Sequence, residues 1–79
     1  MAYHFHRILD KNSSKNVFDW KIESIAVKDM GTCIATDYAA NLAKREDNKE
    51  IVLTNGNFEY AYLVKSDGSY KSIYNSRKY

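Results

Sequence analysis

The sequence predicts an α+β fold in which one helix packs on one face of a small antiparallel β-sheet, with the order β-β-α-β-β-β along the chain. Three observations predict it: period-two alternation of apolar side chains near the amino terminus, one central segment of strong helix formers, and two turn dipeptides in the carboxy-terminal third. The 79 residues are too few for two domains, so residues 1–79 form a single one. Residues 76–79 end it as a short basic tail that we expect to be frayed.

Two strands are predicted first. The segment from Ala2 to Leu9 alternates loosely and predicts a strand, and the polar run from Asp10 to Asn16 predicts a loop. The second strand begins at Val17, and its regular alternation runs through Phe18, Trp20 and Ile22. The alternation then slips, which indicates either a β-bulge near Ser24 or a helical turn, and we favour the bulge. Trp20 is assigned to the core, where its indole N–H needs a hydrogen-bond partner.

The predicted helix follows Gly31, which ends the second strand. Thr36-Asp37 predicts its amino-terminal cap, with an acid in the first turn where the helix dipole favours one. The body runs from Tyr38 to Arg45, and the polar run from Glu46 to Glu50 ends it. The apolar stripe expected to face the sheet consists of Ile34, Tyr38, Leu42, Ala39 and Ala43.

The carboxy-terminal third predicts a meander of three strands, because Asn55-Gly56 and Asp67-Gly68 both suit two-residue hairpin turns. A three-residue loop over 55–57 is rejected, since it would turn Ile51 and Leu53 away from the core.

Two-residue loops would pair Leu53 with Phe58 and Tyr62 with Ile73 across the meander. The core face then collects Ile51, Leu53, Phe58, Tyr60, Tyr62, Val64 and Ile73. The outward face holds Val52, Thr54, Glu59, Ala61, Leu63, Lys65, Tyr70, Ser72 and Tyr74.

The sequence offers few groups for metal binding. His4 and His6 lie two apart on the first strand, so both rings point to one face and could begin a zinc or copper site. Because no third or fourth ligand accompanies them, we interpret them as surface or half-buried histidines and expect no metal and no cofactor. Cys33, flanked by Thr32 and Ile34, is interpreted as a small buried hydrophobe rather than a nucleophile.

Catalytic patterns are equally sparse. The carboxylates, such as Asp19 with Glu23 and Asp37 with Glu46, lie among polar residues and are typical of solvated faces. The three glycines form neither a phosphate-binding loop nor a nucleophile elbow. We therefore expect no catalytic residues and no enzymatic activity.

The composition, with 44% hydrophobic and 28% charged residues, is ordinary for a folded domain. Twelve Lys and Arg against ten Asp and Glu give a net charge of +2, which lacks the strong basic excess of an obligate nucleic-acid binder. The single cysteine and the lack of a long apolar stretch predict a cytoplasmic protein with no membrane partner.

The tyrosines indicate which surface binds a partner. Seven tyrosines exceed what the core needs, and Tyr with Lys and Arg is typical of protein interfaces. We expect the outward face of the meander to bind a protein partner through Leu63, Lys65, Tyr70, Tyr74, Arg77 and Lys78. Alternatively, the tyrosines only fill cross-strand positions, or they stack on bases of RNA or single-stranded DNA while the Lys and Arg side chains contact the phosphates. Exposed sheet edges would also permit a symmetric homodimer.

In its small size, its lack of proline and its richness in Lys, Asn and Tyr, the chain resembles the accessory proteins of bacteriophages and mobile elements. Such proteins often block a host protein. The resemblance implies a viral, non-enzymatic inhibitor that occupies a surface of a larger macromolecule.

Overall fold

The computed structural model describes residues 2–47 and 49–76. Its helix and strands are β1 (Ala2–Asp10), β2 (Lys21–Asp29), α1 (Thr32–Arg45), β3 (Ile51–Asn55), β4 (Tyr60–Val64) and β5 (Tyr70–Asn75). All strand pairs are antiparallel, and the five strands form one sheet in the order β2-β1-β3-β4-β5. The predicted α+β fold and its β-β-α-β-β-β order are confirmed.

The bulge predicted in β2 is confirmed, but the strand starts later than expected. Phe5 pairs with Ala26 and His6 pairs with Ser24, so Ile25 is the extra residue, and it packs against the core beneath α1. The segment Val17–Asp19 is a 3-10 turn rather than strand, because the Asn16 side chain caps it by accepting a hydrogen bond from the Phe18 N–H.

Helix α1 begins at Thr32, and its N-cap, Gly31, lies five residues before the predicted cap Thr36. Thr36 does not cap the helix, because its hydroxyl donates to the Cys33 carbonyl within the first turns. The predicted stripe is also wrong at Ile34, which is 62% exposed. The buried face consists of Ala35, Ala39, Ala40, Leu42 and Ala43. These mostly small side chains let the helix lie close to the sheet.

The β3–β4 turn reverses the chain with four loop residues, 56–59, instead of the expected two. Leu53 therefore pairs with Tyr62 and not with Phe58. The Asn55 side chain holds the longer loop, since its Oδ1 accepts from the Glu59 N–H at 2.8 Å and its Nδ2 donates to Glu59 Oε1 at 2.9 Å. The register moves by an even number of residues, so the strand residues keep their predicted faces.

The β4–β5 turn has one residue more than the predicted two, and this odd difference moves the first residues of β5 to the other face of the sheet. Lys65 and Ser69 close a three-residue loop through a 2.8 Å backbone hydrogen bond, with Gly68 at a φ of +91°. Val64 consequently pairs with Tyr70, and Tyr70 turns to the helix side of the sheet.

A second bulge, at Ile73, restores the predicted parity further along β5. Tyr62 pairs with Ser72 and Ala61 pairs with Tyr74, which leaves Ile73 as the extra residue. Tyr74 therefore lies on the side of the sheet away from the helix, as predicted. Ile73 packs on that side as well, so its assignment to the core face beneath the helix is wrong.

The sheet carries hydrophobic clusters on both faces. The helix face, which α1 covers, contains Tyr3, Phe5, Ile51, Leu53 and Val64. The opposite face, here called the cover face, packs against residues 11–20, here called the covering segment. Its Val17 is 2% exposed and clusters with Val52, Ala61 and Leu63. The prediction that Val52, Ala61 and Leu63 face outward is wrong, because they are buried in one cluster with Val17. Thr54, also predicted to face outward, is 1% exposed.

Candidate functional site

Three aromatic side chains meet on the cover face and form the aromatic patch, defined as Phe18, Phe58 and Tyr74. The ring centroid of Phe18 lies 5.0 Å from that of Phe58 and 4.7 Å from that of Tyr74. Phe58 and Tyr74 are half-buried, whereas Phe18 is 56% exposed. Phe18 is thus a large apolar ring that is fixed by its neighbours and still faces solvent.

The covering segment positions Phe18. Val17 anchors the 3-10 turn in the cluster beneath it, and the Asn16 side-chain oxygen accepts from the Phe18 N–H at 3.1 Å. The Ser14 hydroxyl donates to Asp19 Oδ2 at 2.8 Å on the other side of the turn. These local hydrogen bonds, one on each side of Phe18, fix the backbone from which its ring projects.

The β3–β4 turn positions Phe58 in a strained conformation. Its φ is +54°, a left-handed value that costs a residue with a side chain about 1–3 kcal/mol. The Phe58 N–H donates to the Asn55 carbonyl at 3.2 Å, and the Asn55 side chain brackets the rest of the loop. The loop maintains this strained conformation and places the Phe58 ring against the ring of Phe18.

The histidine pair lies beside the aromatic patch. The rings of His4 and His6 are nearly parallel, at 15°, with centroids 6.4 Å apart, and the His6 ring lies 6.3 Å from that of Phe58. His6 Nε2 is 3.2 Å from Thr54 Oγ1. Burial, and then the charge of His4, lower the pKa of His6 below its usual value. Both rings are half-buried on one face of β1, which agrees with the expectation for the pair.

A second group of aromatic rings lies on the helix face. Tyr62 has its ring centroid 5.5 Å from that of Tyr60 and 5.8 Å from that of Tyr70. Tyr60 and Tyr62 are half-buried against the core, and Tyr70 is 59% exposed. Tyr62 and Tyr70 meet edge to face at 84°, so the three tyrosine rings do not form a flat stack.

The predicted binding residues do not form one surface. Leu63 is 3% exposed, so its place among them is wrong. Tyr70 and Tyr74 lie on opposite faces of the sheet, because of the three-residue turn and the Ile73 bulge. Lys65 is exposed at the start of the β4–β5 turn. Arg77 and Lys78 lie outside the described residues.

Lys65 lines a cleft of about 530 Å³ between the end of β1, residues 49–50 and the β4–β5 turn. Lys11 in this cleft pairs with Glu50 at 2.8 Å, and its ammonium lies 5.0 Å from the centre of the Trp20 ring. Asp67 accepts hydrogen bonds from the Ser69 backbone and hydroxyl. The lining lysines Lys11, Lys49 and Lys65 face three carboxylates, Asp10, Glu50 and Asp67, so the cleft has no excess of either charge.

Cys33 is exposed on α1, so the expectation of a buried thiol is wrong. Within residues 2–47 and 49–76, no three His, Cys, Asp or Glu side chains gather as a metal cluster. Over the same residues, no helix combines the length and apolar character that a membrane span requires.

Comparison with known protein families, with curated proteins and with solved structures finds no match. The aromatic patch is therefore identified as the candidate site from its geometry alone. Sequence reasoning found Tyr74 but missed Phe18 and Phe58, because Phe18 was placed inside a strand and Phe58 on the core face. The one available signal was the cap residue Asn16, two positions before Phe18, which favours a short turn over a continuing strand.

Proposed function

We propose that the protein is a non-enzymatic binding protein that docks the aromatic patch on the surface of a larger protein. The observation that carries the proposal is Phe18, which is 56% exposed and yet held by ring contacts with Phe58 and Tyr74. An apolar ring in water is unfavourable, and burying it under a partner gains roughly 25 cal/mol per Å². Aromatic side chains with fixed neighbours are typical of binding hot spots.

The side chains of the aromatic patch are pre-organised for binding. Its rings contact one another, so little side-chain freedom remains to be lost when a partner arrives. The strained backbone of Phe58 supports the same view, because a left-handed non-glycine residue persists only where the surrounding structure maintains it. A turn that served only to reverse the chain would be more stable with glycine or asparagine at this position.

The patch favours a protein over a nucleic acid. Unpaired bases stack on open aromatic faces, whereas Phe18 and Tyr74 meet edge to face at 84° and Phe18 and Phe58 are tilted by 44°. Within the described part of β5, Lys71 is the one cation. It lies on the same side of the strand as Tyr74 but three residues earlier, about 10 Å away along an extended chain, so it does not lie beside the Tyr74 ring to contact a phosphate.

We further propose that the partner is a host protein, which the docked chain inhibits. It follows from the resemblance in size and composition to phage and mobile-element accessory proteins. A small chain that buries one aromatic patch on a partner would act by covering a functional surface of that partner.

The test compares three variants that share one fold. Phe18→Ala and Tyr74→Ala each remove part of the patch, while Ile34→Ala removes an equally exposed apolar side chain, 62% exposed, from the helix. A protein captured from the source cell by the unmodified chain is purified and titrated with each variant by calorimetry. We expect Phe18→Ala to weaken binding by about 2 kcal/mol, or about 30-fold, and Ile34→Ala to leave it unchanged.

Two results would contradict the proposal. Equal affinity of Phe18→Ala and the unmodified chain would place the interface elsewhere. Tight binding of single-stranded DNA or RNA that falls steeply between about 50 and 200 mM salt, measured by fluorescence anisotropy, would support the nucleic-acid alternative instead. Circular dichroism of each variant verifies that the fold is retained.

A further inference from the structure

We propose that His4 and His6, for which the sequence alone predicts no metal, form an open two-ligand binding site for a divalent transition-metal ion, with Cu²⁺ bound more tightly than Zn²⁺. This inference does not depend on the proposed function, because it concerns the histidine pair and not the aromatic patch.

The strand brings the two imidazoles within reach of one ion. Both residues lie on the cover face of β1, and their ring centroids are 6.4 Å apart. With metal–nitrogen bonds of about 2.1 Å, two imidazoles on one ion have ring centres roughly 6.5 Å apart when the nitrogens lie on opposite sides of the metal, and roughly 5.3 Å apart at a tetrahedral angle. Because the two rings lie nearly parallel on one face of the strand, binding one ion requires side-chain rotations that turn a nitrogen of each ring toward the ion and bring the ring centres about 1 Å closer.

The buried hydroxyl of Thr54 supplies the second observation. Thr54 is 1% exposed, and its Oγ1 is 3.2 Å from His6 Nε2. When Nε2–H donates to this oxygen, the other ring nitrogen, Nδ1, keeps its lone pair for a metal. Metal-binding histidines typically donate their second N–H to a fixed oxygen in this way, which sets the tautomer and orients the ring.

The cross-strand neighbours of the pair do not compete for the site. His4 lies between Val27 on β2 and Thr54 on β3, and His6 lies between Ser24 and Val52. None of these side chains carries a charge. Because the described residues add no third His, Cys, Asp or Glu, the remaining coordination positions belong to water or to an external donor. Imidazole nitrogens with open positions suit copper best among the divalent ions that bind such ligands.

The experiment uses untagged protein in a Cys33→Ser background, because the exposed thiol of Cys33 is itself a soft metal ligand. Isothermal titration with Cu²⁺, and separately with Zn²⁺, is compared for this background, His4→Gln, His6→Gln and Thr54→Val. We expect one ion per chain, a tenfold or greater loss of affinity in each histidine variant, and a loss of about tenfold in Thr54→Val, which keeps both ligands.

A second measurement needs no histidine substitution. In NMR spectra of the Cys33→Ser protein, substoichiometric Cu²⁺ should broaden the imidazole signals of His4 and His6 before all other side-chain signals. Unchanged affinity in the two histidine variants, or first broadening at other residues, would overturn the site. Full affinity in Thr54→Val would overturn the role of Thr54 in fixing the tautomer.

Discussion

The indole Nε1 of Trp20 donates a 2.7 Å hydrogen bond to the carbonyl oxygen of Ser14. This bond closes the covering segment on itself, and the Trp20 ring packs against the cluster around Val17. Trp20 is half-buried against this cluster rather than enclosed in the core, and the partner of its indole N–H is a backbone oxygen six residues earlier in the chain. The covering segment depends on this contact for its shape.

Trp20→Phe should therefore lower the free energy of unfolding by about 1 kcal/mol or more, because the substitution leaves the Ser14 carbonyl without its donor and shortens the packed ring. Urea denaturation followed by circular dichroism measures the change. Lys11→Met is a second comparison, since it removes both the ammonium near the Trp20 ring and the ion pair with Glu50 but keeps the hydrogen bond. An unchanged free energy of unfolding in Trp20→Phe would show that the hydrogen bond contributes little.

Leu63→Ala tests the cover face directly. Leu63 is buried in the cluster with Val17 and Val52, so its truncation should lower the free energy of unfolding by roughly 2–5 kcal/mol. Tyr70→Ala, at a position 59% exposed, should change it far less. Guanidinium denaturation of both variants gives the comparison. A nearly neutral Leu63→Ala would mean that the covering segment does not seal this face in solution.

Local signals in the sequence predicted much of the fold. The period-two pattern, its slip near Ser24 and the alanine-rich segment were enough for the order of the elements along the chain and for the first bulge, whereas the order of the strands in the sheet depends on long-range pairing that these local signals do not specify. Both chain reversals were also found, because Asn55-Gly56 and Asp67-Gly68 are strong turn dipeptides. The lengths of the loops depend on hydrogen bonds that the dipeptides alone do not reveal, such as those from the Asn55 side chain to Glu59.

The candidate site was harder to predict, since it depends on contacts between distant segments. One extra residue in the β4–β5 turn moved Tyr70 to the helix face, while the Ile73 bulge left Tyr74 where it was expected. The run Ile51-Val52-Leu53 was the missed signal for the cover face. A continuous apolar run is typical of a strand buried on both sides, and the buried state of all three residues fits that pattern.

Two glycines should respond in opposite directions to substitution. Gly68 has a φ of +91°, so Gly68→Ala should lower the free energy of unfolding by about 1–2 kcal/mol, although a Cβ there would meet no atom within 4 Å. Gly31 is an N-cap with φ −73° and no side-chain cap, so Gly31→Ser should raise the same quantity by about 0.5 kcal/mol. Thermal unfolding of both variants provides the measurement. A stabilising Gly68→Ala would show that the turn adopts another conformation in solution.

Tyr60 should make the fold sensitive to alkali. Burial, followed by the hydrogen bond and charge of Tyr3 and the charges of Tyr62 and Glu59, raises the pKa of Tyr60 to about 12. In the unfolded chain a tyrosine ionises near pH 10, so the unfolded state loses this proton first as the pH rises. The stability linked to Tyr60 is complete below about pH 10 and is lost progressively between about pH 10 and 12.

The measurement is the urea midpoint at pH 8, 10 and 11 for the unmodified protein and for Tyr60→Phe, which keeps the ring and removes the titrating hydroxyl. Tyr60→Phe keeps every other titratable side chain, so the difference between the two curves reports the Tyr60 hydroxyl together with its interactions with Tyr3 and Tyr62. We expect the unmodified protein to lose more stability above pH 10 than Tyr60→Phe does. Parallel curves would show that Tyr60 ionises equally readily in the folded and unfolded chains, and the packed environment assigned to its hydroxyl would then be wrong.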